Sequence, residues 1–254
     1  MPMRARPTIT AAILAHDEAA LLDGCLSSVG WADEVLVVID DAMSDTLAEI
    51  AHRRTDRVVV QPWLGFAGQR NRALDLARSD WVLFVDADER VPPALAAEVR
   101  SAVSGEAAGA WIPRRNIIAG QWVRWAGWWP DYQLRLLRRG HARYDESALV
   151  HEVATLDGAA ATLREPLLHL NYETLAEFRA KQRRYASLEA RTLRAQGTPI
   201  RARSLVGQPL REFRRRHVEL GGYRQGWLGF QLSFEMARAR FQTYREAMRT
   251  PPSD

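Results

Sequence analysis

The chain has 254 residues, 47% hydrophobic and 26% charged, with a formal net charge of +4 and a single cysteine. This balance excludes a disordered chain and leaves material for a sizeable core. One thiol excludes an internal disulfide framework and a cysteine-based zinc site, and it fits a reducing compartment. No apolar run approaches the roughly 20 residues that a membrane-spanning helix needs. The apolar stretch after Met1 to Pro7 stops at Ala15, which is poor for a signal peptide. Charge is spread unevenly: residues 175–254 carry 17 basic and 7 acidic side chains, residues 1–174 carry 18 and 24. A basic module suited to phosphates or anionic surfaces thus follows a mildly acidic one. Lys181 is the only lysine, which reads mainly as composition bias.

In chain order, Thr8 to Ala15 reads as a buried strand and Glu18 to Val29 as a helix capped by Asp17. Glu34 to Asp40 is a second strand, Asp45 to Arg53 a helix and Arg57 to Gln61 a third strand. Gln69 to Arg78 is a helix, Trp81 to Val85 a fourth strand, and Pro92-Pro93 opens a helix to about Val103. This alternation predicts an α/β fold, a mostly parallel sheet with helices on both faces. Beyond Gly105 the pattern changes. Trp111-Ile112-Pro113 is a short strand, Trp122, Trp125, Trp128 and Trp129 cluster, Tyr132 to Leu137 alternates and reads as a strand, and Thr162 to Leu170 closes this section. From Thr174 the chain reads as helices: Leu175 to Gln196, Leu205 to Leu220 and Gly226 to Met248.

Open parallel sheets bind ligands at the carboxyl ends of their strands. There the sequence places His16-Asp17-Glu18, Asp40-Asp41 and Asp86-Ala87-Asp88. Carboxylates converging on one edge repel unless a cation joins them, and Asp86 and Asp88 share a side if the backbone stays extended. Such a pair suits a divalent cation that takes its other ligands from water and substrate phosphates. Alone, the motif also fits a solvated turn.

Several segments resemble family 2 glycosyltransferases. They are Ile13 to Glu18 with Cys25-Leu26-Ser27-Ser28, Val37 to Asp41 with Asp45, Gly68 to Leu74, and Trp81 to Arg90. Pro130 to Leu136, Val150-His151-Glu152 and Gly226 to Phe230 resemble a branch that adds a sugar, often glucose, to the lipopolysaccharide inner core. Two positions depart from the family pattern: Ala42-Met43 stands where Gly-Ser is usual, and Asp17 where Asn is usual.

The resemblance implies a sheet of the nucleotide-diphospho-sugar transferase (GT-A) type with a basic helical C-terminal extension. Residues 1–108 would form the nucleotide-sugar-binding half, 109–173 the acceptor-binding and catalytic half, and 174–254 the extension. It implies an inverting enzyme, a UDP-sugar donor, a lipid-linked glycan acceptor and Mg2+ or Mn2+ held by Asp88 and Asp86. Donor contacts would come from His16, Glu18, Asp40, Asp41, Gln69, Arg70, Asn71, Asp86, Ala87 and Asp88. Inversion needs a general base. Glu152 is favoured, with Asp131 as the second candidate or as a residue that holds the acceptor or anchors Arg135. His151 would orient its neighbours, and Arg135, Trp128 and Trp129 would meet the acceptor, although core packing also accounts for the tryptophans. His141 and His169 read as ordinary surface and core histidines.

Trp227, Phe230, Phe234, Ala237, Phe241, Tyr244 and Met248 form one seam along the last helix. It suits packing within the protein, a homodimer, or an anionic membrane met with help from Arg211, Arg214, Arg215 and Arg216. The expected location is the cytoplasm, peripheral on the inner face of the membrane. The competing readings are an arginine-rich nucleic-acid-binding protein, for which no nucleic-acid module is recognisable, and an inactive transferase-like scaffold, which Ala42-Met43 makes conceivable.

Overall fold

The computed structural model describes residues 6–41, 44–146, 153–197 and 201–249. The chain begins with β1 (Ile9–Ala15), α1 (Ala19–Ser28), β2 (Glu34–Asp40), α2 (Ser44–His52) and β3 (Val58–Gln61). It continues with α3 (Gly65–Leu76), β4 (Trp81–Asp86), β5 (Glu89–Arg90) and α4 (Pro93–Ala102). The apolar runs of β1, β2 and β4 are continuous because both faces are covered. Ile9, Ala11 and Ile13 of β1, with Val37, Ile39, Leu83 and Val85, pack on Leu22 and Leu26 of α1, Leu47 of α2 and Leu95 of α4. Ala12, Leu36, Val38, Val82 and Phe84 point the other way, onto Ala67, Ala73 and Leu74 of α3. Alternation with period 2 thus feeds two cores from one set of strands.

The remaining strands are β6 (Gly109–Ile118), β7 (Gln121–Trp122), β8 (Asp131–Arg138), β9 (Ala142–Arg143), β10 (Thr155–Leu156), β11 (Ala160–Thr162) and β12 (Leu167–Tyr172). The main sheet runs β3-β2-β1-β4-β8-β6-β12-β5. It is parallel from β3 to β4, then mixed: β8 is antiparallel to β4, and β12 to β5. This is the GT-A-like sheet with helices on both faces that the sequence implied, followed by a helical C-terminal segment. Local departures are informative. The short strand expected at Trp111 is ten residues long. Asp17 does not cap α1; Glu18 stands at the cap position without a side-chain bond to the helix.

Two compact units divide the chain: Met1–Arg114 with Tyr132–His169, and Arg115–Asp131 with Leu170–Asp254. The second unit contains α5 (Leu175–Ala195), α6 (Ser204–Arg214) and α7 (Gly226–Arg249). Its core is Ile118, Val123, Tyr172, Phe178, Leu228 and Leu232. The helix expected to run to Leu220 ends earlier, passing into a π-helical turn at Arg215–Glu219 where Leu220 N–H donates to Arg215 O. Gly229 lets α7 press on the preceding turn, since a Cβ there would fall 2.0 Å from Gly222 O.

Glu34 ties β2 to its surroundings. Its carboxylate accepts from Thr10 Oγ1 at 2.5 Å, Arg78 N–H at 2.9 Å and Arg57 Nε at 2.9 Å. Burial works against its charge, but these donors prevail and hold its pKa below the ordinary 4.5. A depressed folded pKa means the stabilisation is complete above the unfolded value and is lost as pH falls through the folded one. Glu34→Gln should therefore cost about 1–3 kcal/mol at pH 7, with the gap to wild type closing in acid. Urea unfolding of both proteins across that range is the measurement, and a gap independent of pH contradicts the assignment.

Candidate active site

The parallel register sets Leu14 level with Val38 on one side and Asp86 on the other, so β1, β2 and β4 end together. At the end of β2, Asp40 is buried and its Oδ2 lies 2.8 Å from Nδ1 of the half-exposed His16. Asp41 follows in an exposed position. Glu18 turns back on its own loop, accepting from His16 N–H at 3.1 Å and Asp17 N–H at 3.2 Å, and burial pushes its pKa up. Gln69 is buried and bonded to Gln61 at the end of β3. Ala42 and Met43 lie outside the described residues, as do His151 and Glu152.

β4 ends in a tight turn that its own side chains build. Glu89 Oε2 accepts Asp86 N–H at 3.0 Å, and Arg90 donates to Ala87 O at 3.0 Å and Leu21 O at 2.8 Å. Ala87 is buried within this turn, and Cys25 Sγ–H donates to Asp86 O at 3.4 Å. Gly24 makes room, because a Cβ there would sit 2.7 Å from Arg90 Nη2.

Asp86 and Glu89 share the guanidinium of Arg135. Both Arg135 terminal nitrogens meet Asp86, and Nη2 lies 3.1 Å from Glu89 Oε1. Arg70 Nη2 approaches Asp86 at 3.7 Å and Arg114 Nη1 approaches Glu89 at 3.7 Å. Burial opposes the charge on Asp86, but Arg135 and Arg70 outweigh it and hold the carboxyl well below the usual carboxylate range. Glu89 is fully buried; burial, reinforced by Asp86, pushes it up against the pull of Arg135. Arg135 keeps its proton firmly, since the two carboxylates outweigh its desolvation.

The sequence expectation of a carboxylate edge needing a cation is thus met in part by arginines. Asp86 and Glu89 are neutralised from within. Arg135, expected at the acceptor, is instead buried against them. Asp88 stands apart, with Oδ2 3.1 Å from His169 Nε2. This corrects the reading of His169 as an ordinary core histidine: pairing of β12 with β5 sets His169 opposite Glu89. Asn71, expected at the donor, clasps the chain beyond β9. It donates to Tyr144 O at 3.0 Å and Glu146 Oε1 at 2.7 Å and accepts Tyr144 N–H at 2.9 Å. Arg70 lies over the rings of Phe84 and Tyr144.

In the second unit, Trp128 stacks edgewise on Phe178 beside the core, and Trp129 packs edge-on against Trp122. Asp131 accepts from Asn116 Nδ2 at 3.2 Å. Sequence reasoning missed Glu89, Arg114, His169 and Trp63. The Trp63 ring is exposed 5.9 Å from His16 and edge-on to Phe66. The apolar Trp63-Leu64-Gly65-Phe66 run directly after a strand end was the available signal for Trp63.

Arg135→Ala should lower the unfolding free energy by about 3–5 kcal/mol, because Asp86 and Glu89 would lose their main counter-charge. Arg135→Lys, which keeps the charge but not the fork, should lose less. Denaturant unfolding of both variants is the check; an Arg135→Ala protein as stable as wild type contradicts this account.

Residues 10–168 match the model of glycosyl transferase family 2. The lipopolysaccharide core biosynthesis glycosyltransferase LpsC of Rhizobium meliloti (strain 1021) is 31% identical over 235 residues, covering 87% of this chain and 85% of LpsC. An uncharacterized glycosyltransferase of Rickettsia felis is 40% identical over 92 residues, covering 36% of this chain and 32% of that protein. Among solved structures, the mannosyltransferase PcManGT from Pyrobaculum calidifontis, in complex with GDP-Man and Mn2+, aligns with a TM-score of 0.56 at 14% identity. That alignment covers 96% of this chain and 88% of PcManGT, a likeness of fold. With its sheet edge of Asp40, Asp86 and Asp88, the family match over residues 10–168 and the LpsC likeness over most of its length, the chain belongs to glycosyl transferase family 2.

Proposed function

We propose that the chain is an inverting, metal-dependent transferase that moves a sugar, glucose as the first choice, from a UDP-sugar to a lipopolysaccharide-core or similar lipid-linked glycan. The acceptor class rests on the similarity to LpsC. The observation that carries the chemistry is the common end of β1, β2 and β4, where Asp40, Asp86 and Asp88 stand. The nucleic-acid reading is not favoured, because the family match and the similarity to LpsC both point to a transferase.

The residues fit a divalent cation. Asp88 and His169 offer a carboxylate and an imidazole side by side, outside the arginine cluster. No group of three His, Cys, Asp or Glu that could hold a metal occurs among the described residues. Mg2+ or Mn2+ would be held by Asp88 and His169 and completed by donor phosphates and water. When bound, such a cation offsets the charge of the departing diphosphate. Asp40 would accept from the base, oriented by His16, and the ionised Asp86 would accept from the ribose. Arg70 would turn its remaining N–H groups to the phosphates. Glu152 would take the proton of the acceptor hydroxyl as the anomeric carbon is attacked, and Asp131 would hold the acceptor.

Donor binding and turnover of three variants test this together. Asp88→Ala should lose transfer and metal-dependent donor binding. Glu152→Gln should lose roughly 10²–10⁴-fold in turnover while keeping donor affinity, and Asp131→Asn should act on acceptor KM. Full activity of Asp88→Ala in a chelator defeats the metal assignment. A normal Glu152→Gln beside a dead Asp131→Asn reverses the two carboxylates.

A lipid-linked acceptor places the enzyme at the cytoplasmic face of an anionic membrane. No helix among the described residues is long and apolar enough to cross one. The seam of α7 supports surface attachment, since Trp227, Phe230, Phe234, Phe241 and Met248 remain exposed. Val206 and Leu210 of α6 are exposed too, and Phe213, one turn on, joins the two helices with its ring 5.8 Å from Phe230. Exposed Arg211, Arg214 and Arg215 border this apolar face with the charge that anionic headgroups require. Cosedimentation should show binding to anionic vesicles that weakens with salt and falls about tenfold in Trp227→Ala/Phe234→Ala. Equal binding to neutral vesicles, or a dimer abolished by the same substitutions, would assign the seam elsewhere.

A further inference from the structure

We infer that the second unit holds a binding site for a phosphate-bearing saccharide, in the cavity between the loop at 124–129 and the turn at 218–224. The inference rests on the reading of the chain as a transferase with a glycan acceptor and adds the chemical character of that acceptor. The cavity has a volume of about 530 Å3 and is lined by Arg124, Trp125, Trp129, Tyr223 and Arg224, among others. That volume lies within the roughly 300–1,000 Å3 typical of small-ligand sites.

The lining combines two kinds of surface that together suit one ligand. Arg124 lies over Trp122, its guanidinium carbon 3.7 Å from the ring centre. Arg224 lies 4.7 Å from the centre of Trp125 and 5.7 Å from that of Tyr223. These cation–π contacts restrain each guanidinium and leave N–H groups for oxygens, so less freedom is lost when an anion binds. Among the described residues no carboxylate pairs with Arg124 or Arg224. Glu219, the carboxylate in the lining, is engaged by Arg214 at 3.3 Å. The indoles of Trp125 and Trp129 supply flat faces for the C–H side of a sugar ring.

The site is built in advance of any ligand. Arg124 N–H donates to Gln225 Oε1 at 3.1 Å, and Gln225 Nε2 donates to Trp122 O at 3.0 Å, pinning both arginine-bearing segments to one side chain. Ala126 N–H donates to Leu220 O at 2.9 Å, and Arg216 Nη1 donates to Ala126 O at 2.8 Å. Gly127 (φ +82°) and Gly221 (φ +67°) occupy left-handed backbone where added Cβ atoms would also meet Leu220 and Trp125 at 2.9 and 3.1 Å.

A larger cavity of about 730 Å3 in the first unit lacks this character. Its Arg143 is paired with Asp75 at 2.5 Å, its Arg139 donates to Ser79 O at 2.7 Å, and no tryptophan or tyrosine lines it.

The test is titration of the full chain with glucose 6-phosphate, glucose and inorganic phosphate, followed by tryptophan fluorescence. An Asp88→Ala background removes the metal-dependent phosphate binding proposed for the donor site. Glucose 6-phosphate should give a saturable response, with glucose and phosphate at least about tenfold weaker. Arg124→Gln/Arg224→Gln should weaken it roughly 10–100-fold, and the same pair of substitutions in the otherwise wild-type chain should leave UDP-glucose binding unchanged. The inference is overturned if the double substitution leaves the affinity intact, if inorganic phosphate binds as well as the sugar phosphate, or if no response saturates up to about 10 mM. Loss of anionic-vesicle binding in the double variant without any sugar-phosphate binding assigns the arginines to lipid headgroups and also overturns it. Saccharide binding without transfer from UDP-glucose refutes the proposed reaction while leaving this site in place.

Discussion

Arg135 carries its charge into a place almost closed to water, and two carboxylates meet it there. An isolated charge in that position would cost several kcal/mol. The strand that bears the arginine, the turn that bears Asp86 and Glu89, and the strand that bears Arg114 therefore stand or fall together. The arrangement depends on β8 running antiparallel to β4, which returns an arginine toward the strand's acidic end. With Asp86 and Glu89 held by arginines, Asp88 is left to pair with the buried His169. Two aspartates that are neighbours in the motif thus take different partners, an arginine for Asp86 and a histidine for Asp88.

The same cluster shows what the sequence could and could not disclose. β1, β2 and β4 were legible because a strand covered on both faces has no polar position to interrupt it, and their acidic ends followed from the chain order. The strand read at Trp111-Ile112-Pro113 stops short of the polar Arg114, Arg115 and Asn116, which β6 includes. Arg114 is polar because it reaches Glu89. His169 sits in an apolar run and looks like core, and its partner is 81 residues away in the chain. Only the register of β12 on β5 brings them together, and antiparallel pairing between distant segments leaves no local pattern. Asn71 was recognised as special, but its bonds run to the backbone of Tyr144 and to Glu146 rather than into the edge where Asp86 and Asp88 stand.

The C-terminal helices were legible as helices and as a seam, yet periodicity does not say what covers a seam. In the structure the seam divides. Ala237 of the seam goes to the interior with Leu228 and Leu232 from the adjoining face, while the large aromatic side chains stay outside as a ladder from Trp227 through Phe230 to Phe234. The charge excess divides in the same way: Arg216 is drawn in to Glu212 and Ala126, while Arg124 and Arg224 lie over indole rings. A composition count sees these as equivalent positive charges, but only burial and stacking separate structural arginines from those available to an anion.

Cys25 lies beneath the Asp86 turn, fully buried, with its thiol raised far above the usual range by burial. Thiolate is the species that alkylating reagents and peroxide attack, and here it is both scarce and inaccessible. The native chain is therefore chemically silent toward maleimides. A cysteine introduced at any exposed position becomes a unique attachment point for a fluorophore or spin label, with no need to disturb the sulfur that supports the site.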